Sequence, residues 1–216
     1  MIIINFKNYV HGEKALKLAM KIEKYLPNAT LSASAVDIGY LKFHTKLTVF
    51  AQHIDNVDNN KRATGFLTSE AIITHGAKGS LINHSEHQIK IEDIAKLISK
   101  TKENKLKLIV CAPTIDFVLA LLKLKNKPYA IAFEDPVLIG SGKSVTTFKS
   151  DELKKFVKII SGTGIISICG AGISTFEDVV AAREYGCKGV LIASAIADAK
   201  KPEKLLKDLQ GIKCYQ

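Results

Sequence analysis

The chain has very little arginine and no long uncharged apolar segment. Of its 31 basic residues only Arg62 and Arg183 are arginines, and nowhere do about 18 apolar residues follow one another without a charge. The net charge of +10 favours an anionic partner. The planar guanidinium fork that dominates recognition of base edges and phosphate backbones is nearly absent, however. We therefore expect no nucleic-acid partner and no membrane partner.

The chain also lacks a secretory signal and any metal-binding cysteine spacing. Residues 1–7 have neither a basic start nor a long apolar run, which favours a cytoplasmic location. The cysteines form no CxxC pair and no His/Cys ligand pattern, so we predict reduced, buried thiols and no metal site; the alternative is disulfide bonding of the kind that some thermophiles use. They are Cys111, Cys169, Cys187 and Cys214.

Short apolar runs alternate with segments of helical periodicity along the 216 residues. One such helical segment is 13–26, where apolar residues fall on a single face. Strands joined by helical crossovers are parallel, and eight strand-then-helix units predict an α/β fold, a (β/α)8 barrel forming a single domain over residues 1–216. The predicted strands are residues 2–5, 31–36, 47–51, 80–83, 106–111, 129–133, 165–169 and 189–193.

Helix boundaries agree with this pattern. Residues 174–177 can form a capping box with Ser174 and Glu177 as its partners, Gly186 stands where the same helix should end, and Pro202 suits the first turn of the final helix. The helix after the second strand is the weakest, reduced to residues 37–43.

Polar residues follow several of the apolar runs directly. In a barrel of this kind the active site is built at the carboxyl ends of the strands, so these side chains should converge. Each has an ordinary structural explanation when taken singly. Together, a carboxylate, an imidazole and an ammonium group can remove a proton next to a carbonyl and stabilise the resulting enediolate. The residues are Asn5, Lys7, His84, Ser85, Glu86, Glu134 and Ser194.

Two kinds of loop add to this prediction. Glu134 leads into a segment containing Pro136, Gly140 and Gly142, the composition of a lid that excludes water. The turns at residues 170–172 and 193–195 follow the seventh and eighth strands, where barrels often bind phosphate through backbone amides.

A set of ordered motifs identifies a resemblance. The chain resembles the triosephosphate isomerase family, in the short form found in archaea, from the first strand to the eighth. The motifs are Asn5-Phe6-Lys7, Ala63-Thr64-Gly65, Asn83-His84-Ser85-Glu86, Glu134 with Ile139-Gly140-Ser141-Gly142, Cys169-Gly170-Ala171-Gly172-Ile173 and Leu191-Ile192-Ala193-Ser194.

The resemblance implies interconversion of dihydroxyacetone phosphate and D-glyceraldehyde 3-phosphate, as in glycolysis and gluconeogenesis, without a metal or other cofactor. Glu134 would carry the proton, and His84, held neutral by a helix N-terminus, would polarise the carbonyl. Lys7 would supply positive charge, Asn5 would orient the oxygens and Glu86 would lie near Lys7. The amides of Gly140, Gly172, Ala193 and Ser194 would hold the phosphate.

The chain departs from the family pattern beside the base. Asp135 stands where the family often has proline, so the backbone there is less restricted. Ala195 replaces a common glycine, and His87-Gln88 replace the arginines that often follow the His-Ser-Glu motif.

Thr64 lies in residues 59–66, a segment that in this family reaches into a neighbouring subunit. The resemblance therefore implies a homodimer or a homotetramer, and the sequence does not separate the two.

Two alternative functions remain at this point. Another phosphate-binding barrel enzyme, such as a phosphosugar epimerase or an aldolase, would share the barrel and its anion site. A Schiff-base aldolase needs a strand lysine facing the barrel centre, for which only Lys107 is available. A non-catalytic phosphate-ester binder would explain the charge but not the three catalytic groups.

Overall fold

The computed structural model describes residues 1–57, 62–138 and 144–212. Eight strands form a closed barrel in the order of the chain, every neighbouring pair is parallel, and β1 pairs with β8. The predicted barrel is confirmed. The strands are β1 (Ile2–Asn5), β2 (Thr30–Ala33), β3 (Thr48–Ala51), β4 (Gly79–Ile82), β5 (Lys107–Ala112), β6 (Ala130–Phe133), β7 (Ile166–Cys169) and β8 (Gly189–Ile192).

Helices follow the strands around the outside of the barrel. They are α1 (Gly12–Tyr25), α2 (Ile38–His44), α3 (Ser69–Thr74), α4 (Ile91–Glu103), α5 (Ile115–Lys123), α6 (Val145–Phe148), α7 (Ser150–Ile160), α8 (Phe176–Glu184), α9 (Ser194–Ala197) and α10 (Glu203–Gln210). None of the helices in the described residues is both long enough and apolar enough to span a bilayer.

Buried apolar side chains lie on both faces of the strands. Inside the barrel, Ile3, Leu81 and Ile168 fill the centre together with Phe50. A Cβ atom at Gly79 would lie 2.4 Å from the Phe50 ring, so the ring occupies the space that a side chain there would need. The alternation of inward and outward residues along each strand explains why short, almost wholly apolar runs mark the strands in the sequence.

One predicted strand is too long. The second was expected over residues 31–36, but β2 ends at Ala33, and a 3-10 helix occupies Ala35–Asp37. That turn places Val36 in solvent, 82% exposed, and buries Asp37. The Asp37 carboxylate accepts a hydrogen bond from Gly12 N (2.9 Å), so its polar contact is with the first residue of α1. The sequence stays mostly apolar past the end of the sheet, and the apolar pattern therefore predicts a strand that is too long.

The predicted capping box is displaced by one residue. Thr175 is the N-cap of α8, and its partner is Asp178, three residues later; Ser174 and Glu177 do not play these parts. Thr175 has the extended backbone of an N-cap (φ −125°, ψ 166°), and a carboxylate on Asp178 serves the reciprocal bond as glutamate usually does. Gly186 ends the helix as predicted, in the left-handed region at φ 93°.

Candidate active site

The carboxyl ends of five strands surround one cavity of about 350 Å³. Most of the predicted site residues meet there. The lining residues are Asn5, Lys7, Tyr9, His84, Glu86, Glu134, Ala171, Gly172, Ile173, Ser174, Leu191, Ala193 and Ser194.

Glu134 is a buried carboxylate at the end of β6. Its backbone N–H continues the sheet by donating to Ala112 O (3.1 Å), which fixes the position of the Cα atom. The residue is 5% exposed, and Oε2 has no hydrogen-bond partner among the described residues. Burial, and secondarily the negative charge of Glu134, raise the pKa of the Cys111 thiol beside it. Glu134 is thus a buried carboxylate with one oxygen available to a ligand.

His84 lies opposite Glu134 and has a defined tautomer. Its Nδ1 accepts a hydrogen bond from the Glu86 backbone N–H (3.2 Å), so a neutral ring carries its hydrogen on Nε2. That Nε2 lies 3.9 Å from Glu134 Oε2, too far for a direct hydrogen bond. Both atoms can therefore contact the same small molecule.

The donor to His84 differs from the expected one. The resemblance implied a helix N-terminus, but residues 84–87 form a turn closed by His87 N and His84 O (2.8 Å), and α4 begins only at Ile91. A backbone amide of this turn supplies the hydrogen bond to Nδ1.

Asn83 holds this turn in place. Its backbone is left-handed (φ 58°), a conformation that asparagine adopts more readily than most residues. The side-chain amide donates to Cys111 O (2.9 Å), and its oxygen accepts from Ile89 N (3.0 Å). Sequence reasoning included Asn83 in a motif without giving it this role.

Lys7 reaches the cavity from the loop after β1. Its backbone is also left-handed (φ 44°), and its Nζ lies 2.6 Å from Glu86 Oε1. Asn5 Oδ1 accepts from Lys7 N (3.0 Å), and Gln52 Nε2 donates to Lys7 O (2.9 Å). Glu86 lies near Lys7, as the resemblance implied.

Gln52 was missed by the sequence analysis. It also lies within 3.3 Å of Asn5 Oδ1, so one amide supports both residues of the first loop. The rule that found the other site residues could have found it, since Gln52 directly follows the third apolar run.

Gly170 allows Glu134 to occupy its position. A Cβ atom at Gly170 would lie 2.5 Å from Glu134 Cγ and 2.6 Å from Oε1, distances that real Cβ atoms essentially never show. The turn continues through Ala171 and Gly172, both left-handed at φ 68° and φ 74°. The sequence predicts a role for this turn in phosphate binding but gives no sign of its close approach to the carboxylate.

The predicted phosphate-binding residues fall into two groups. Gly172, Ala193 and Ser194 line the same cavity as Glu134, and α9 begins at Ser194. Gly140, with the rest of the segment at residues 139–143, lies outside the described residues.

Asp135 is held by two contacts beside the base. Its Oδ1 accepts from Val137 N (2.9 Å), and Oδ2 lies 3.6 Å from Lys149 Nζ. Hydrogen bonding to Glu152 first, and to a smaller extent Asp135, raises the pKa of Lys149. The aspartate therefore restrains the backbone by a local turn where the family often uses proline.

A second, more open cavity of about 610 Å³ adjoins the first and shares Asn5, Lys7 and Glu86 with it. On its wall, the His53 and His87 rings are stacked with centroids 3.8 Å apart. Burial lowers the pKa of His53, and the neighbouring His87 lowers it further.

Two further kinds of site, a metal site and a Schiff-base lysine, were considered from the sequence. Within the described residues, no group of three or more histidine, cysteine, aspartate or glutamate side chains has the geometry of a metal site. Lys107 stands at the exposed start of β5, with its Nζ 5.0 Å from the centre of the Tyr129 ring. It is therefore at the opposite end of the barrel from Glu134 and cannot serve there as a Schiff-base lysine.

Comparison with known proteins gives one family. The family described as "Triosephosphate isomerase" matches residues 1–209. Curated proteins named triosephosphate isomerase are 37% identical in Sulfolobus acidocaldarius over 96% of this chain and 92% of the relative, and 40% identical in Saccharolobus solfataricus over 96% and 93%. The relative from Methanothermus fervidus is 38% identical over 97% of this chain and 96% of its own.

A solved structure has the same fold. The crystal structure of triosephosphate isomerase from Bartonella henselae matches with a TM-score of 0.73, covering 96% of each chain at 17% identity.

Proposed function

Because this chain belongs to the triosephosphate isomerase family, a family of aldose–ketose isomerases, we propose that it interconverts dihydroxyacetone phosphate and D-glyceraldehyde 3-phosphate. The observation that carries the proposal is the pairing of His84 Nε2 with Glu134 Oε2 across 3.9 Å of one cavity. An imidazole donor and a free carboxylate oxygen at this separation can act on neighbouring atoms of one substrate. This reaction belongs to glycolysis and gluconeogenesis, and we propose that the protein works in the cytoplasm.

The proton transfer uses Glu134 as the base. Glu134 takes a proton from the carbon beside the carbonyl, and the electron pair of that C–H bond forms the double bond of an enediolate. His84 Nε2–H donates to the oxygen on which negative charge develops. Glu134 then returns a proton to the adjacent carbon, while the hydroxyl proton passes to the former carbonyl oxygen with His84 Nε2 as the relay. The substrate and product therefore have the same composition, and no oxidant or cofactor enters.

Lys7 and Asn5 support the charge in this reaction. The Lys7 ammonium, paired with Glu86 at 2.6 Å, stabilises negative charge on the substrate oxygens. Asn5 orients those oxygens, and its Oδ1 already holds the Lys7 backbone N–H. Glu86 keeps Lys7 in place without contacting the reacting carbons.

The phosphate group binds at the other side of the cavity. We propose that the backbone amides of Gly172, Ala193 and Ser194 hold it, together with Gly140 from outside the described residues. Binding energy gained at this remote group can orient the reacting carbons against Glu134.

We further propose that the protein is a homodimer or a homotetramer. The turn at residues 63–66, closed by Phe66 N and Ala63 O (3.2 Å), leaves Thr64 in solvent and Phe66 56% exposed. This turn would enter the 610 Å³ cavity of a neighbouring subunit. Light scattering on the purified protein would test the proposal, and a monomer at micromolar concentration would contradict it.

A coupled assay tests the enzymatic proposal. With D-glyceraldehyde 3-phosphate as substrate, formation of dihydroxyacetone phosphate is followed through a reductase that consumes it. A phosphorylated hydroxamate that mimics the enediolate should inhibit with an affinity at least about 100-fold tighter than the substrate's. Absence of turnover, or equal affinity for mimic and substrate, would contradict the proposed function.

A further inference from the structure

Asp178 connects two separate segments of the carboxyl rim, which is the end of the barrel where the carboxyl ends of the strands lie. Its Oδ1 accepts a hydrogen bond from Thr146 Oγ1 (2.9 Å) in α6, and Ser144 Oγ lies 2.6 Å from the same hydroxyl. Its Oδ2 accepts from the backbone N–H groups of Ser174 and Thr175, both at 3.0 Å. The carboxylate thus joins residues more than 30 positions away in sequence to the loop that follows β7.

The surroundings of Asp178 favour its charged form. Burial alone would raise its pKa, but hydrogen bonds from Ser144, Ser174, Thr146 and Thr175 outweigh that effect and lower the pKa below the ordinary value of 3.8. The group is therefore ionised at neutral pH, and hydrogen bonds to an ionised acceptor are stronger than bonds between neutral groups.

A helix cap alone does not account for this arrangement. The cap of α8 is completed by Oδ2 and by the reciprocal bond from Asp178 N to Thr175 Oγ1 (3.1 Å). The other oxygen, Oδ1, bonds outside the cap to Thr146. A second link, from Val145 N to Ala171 O (3.1 Å), joins the same two segments.

The loop that receives these bonds lies in the proposed phosphate site. Gly172 and Ser174 line the cavity with Glu134. Ala171 and Gly172 are both left-handed, and for Ala171 that conformation is unfavourable unless its surroundings enforce it. The bonds from residues 144–146 provide such a restraint from outside the loop.

We propose that Asp178 is a positioning residue that, through Thr146, holds the loop at residues 171–174 in the geometry that binds the substrate phosphate. This rests on the proposed function, in which the Gly172 amide contacts that phosphate. Asp178 acts through the loop and touches neither the substrate nor the reacting carbons. Losing the link to Thr146 should therefore weaken phosphate binding and leave the chemical step almost intact.

Three variants separate this role from simple helix capping. Thr146→Val removes the hydroxyl at nearly constant volume, and Thr146→Ser keeps it. Thr175→Ala is the matched control, because it removes a side chain that bonds the same carboxylate but belongs to the cap. Each variant is measured for kcat and KM with D-glyceraldehyde 3-phosphate, for the dissociation constant of inorganic phosphate by calorimetry, and for Tm.

For Thr146→Val we expect KM and the phosphate dissociation constant to rise about tenfold, with kcat within about threefold of the wild type. Thr146→Ser should restore both constants. Thr175→Ala should lower Tm by about as much as Thr146→Val does, but its KM should stay within about twofold of the wild type.

Two results would overturn the inference. One is wild-type phosphate affinity in Thr146→Val; the other is an equal rise in KM for Thr175→Ala, which would indicate a general loss of structure. Failure of the proposed function is distinguishable, because the wild type would then show no turnover while phosphate binding could still be measured in every variant.

Discussion

The carboxyl rim and the amino rim, where the strands begin, differ in which residues adopt the left-handed backbone conformation. At the carboxyl rim, Lys7, Asn83 and Ala171 adopt it although each carries a Cβ atom. At the amino rim, the turn before β7 uses glycines, Gly162 (φ 77°) and Gly164 (φ 78°), although Lys105 before β5 is also left-handed. A side chain in this conformation is strained unless neighbouring groups enforce it. At the carboxyl rim, each residue in this strained conformation either lines the cavity or holds a residue that lines it.

The two rims also differ in how polar groups are satisfied. Amino-rim turns close through ordinary backbone bonds, such as Lys107 N to Lys78 O (3.1 Å). The carboxyl rim buries Asn5, His84 and Glu134, and Glu134 Oε2 has no partner among the described residues. A buried, unpartnered oxygen is costly for folding, and the proposed binding of substrate to this oxygen would account for it. The buried polar groups named here, and with them the proposed chemistry, lie at one end of the barrel.

The largest effect should come from Glu134→Gln. Without a base, kcat should fall about a thousandfold, whereas the dissociation constant of inorganic phosphate should hardly change, since the amide keeps the size of the side chain. The coupled assay and calorimetry measure the two quantities. Glu103→Gln, at the exposed end of α4, is the amino-rim control and should match the wild type. Near-wild-type turnover in Glu134→Gln would remove Glu134 from the role of base.

Replacing one glycine at each rim by alanine should again have different effects at the two rims. Gly170→Ala forces Cβ against Glu134 at 2.5 Å, so we expect kcat to fall about tenfold to 100-fold as the carboxylate is displaced. Gly162→Ala meets no atom within 4 Å but is left-handed, and it should cost about 1 kcal/mol of unfolding free energy with kcat unchanged. Steady-state kinetics and urea unfolding test the pair. Equal kcat values would show that Glu134 does not depend on Gly170.

Most of the fold and much of the site could be predicted from the sequence. Strands buried on both faces are mostly apolar, so all eight were found, and the rule that sites lie at carboxyl ends of strands selected Lys7, His84 and Glu134. What could not be predicted depends on contacts distant in sequence. Asp37, just beyond the end of β2, bonds to the first residue of α1, and the need for glycine at position 170 depends on the side chain of Glu134, which follows β6.

Removing one supporting side-chain amide at each rim should give a smaller difference between the rims. Gln52→Ala removes the donor to Lys7 O and should lower kcat/KM about tenfold, because the strained Lys7 backbone loses its partner. Asn104→Ala, which removes an amide that donates to Glu70 Oε1 (3.2 Å) at the amino rim, should leave kcat/KM unchanged. The coupled assay distinguishes the two, and an intact kcat/KM in Gln52→Ala would show that Lys7 holds its conformation unaided.

The smallest effect should be a pH dependence of stability at Asp178. Its pKa is lowered in the folded protein, so the ionised form adds stability at every pH above its ordinary value of 3.8, and this stability is lost as pH falls through the lower folded value. The Tm difference between the wild type and Asp178→Asn should thus be constant from pH 8 to about pH 5 and shrink below about pH 4. Thermal unfolding followed by circular dichroism measures it, and a difference independent of pH would contradict the assignment.

The pairing of β1 with β8 has a consequence for the order of synthesis. In a growing chain Lys7 is made before Glu134, and the strand that closes the sheet, with the amides of Ala193 and Ser194 beyond it, follows both. Until then the edges of β1 and β7 have no neighbour, and an open sheet edge invites association with other chains. The same strand that covers those edges also brings the amides of the proposed phosphate site into place. A nascent polypeptide would thus gain protection from aggregation and the proposed phosphate site in a single step.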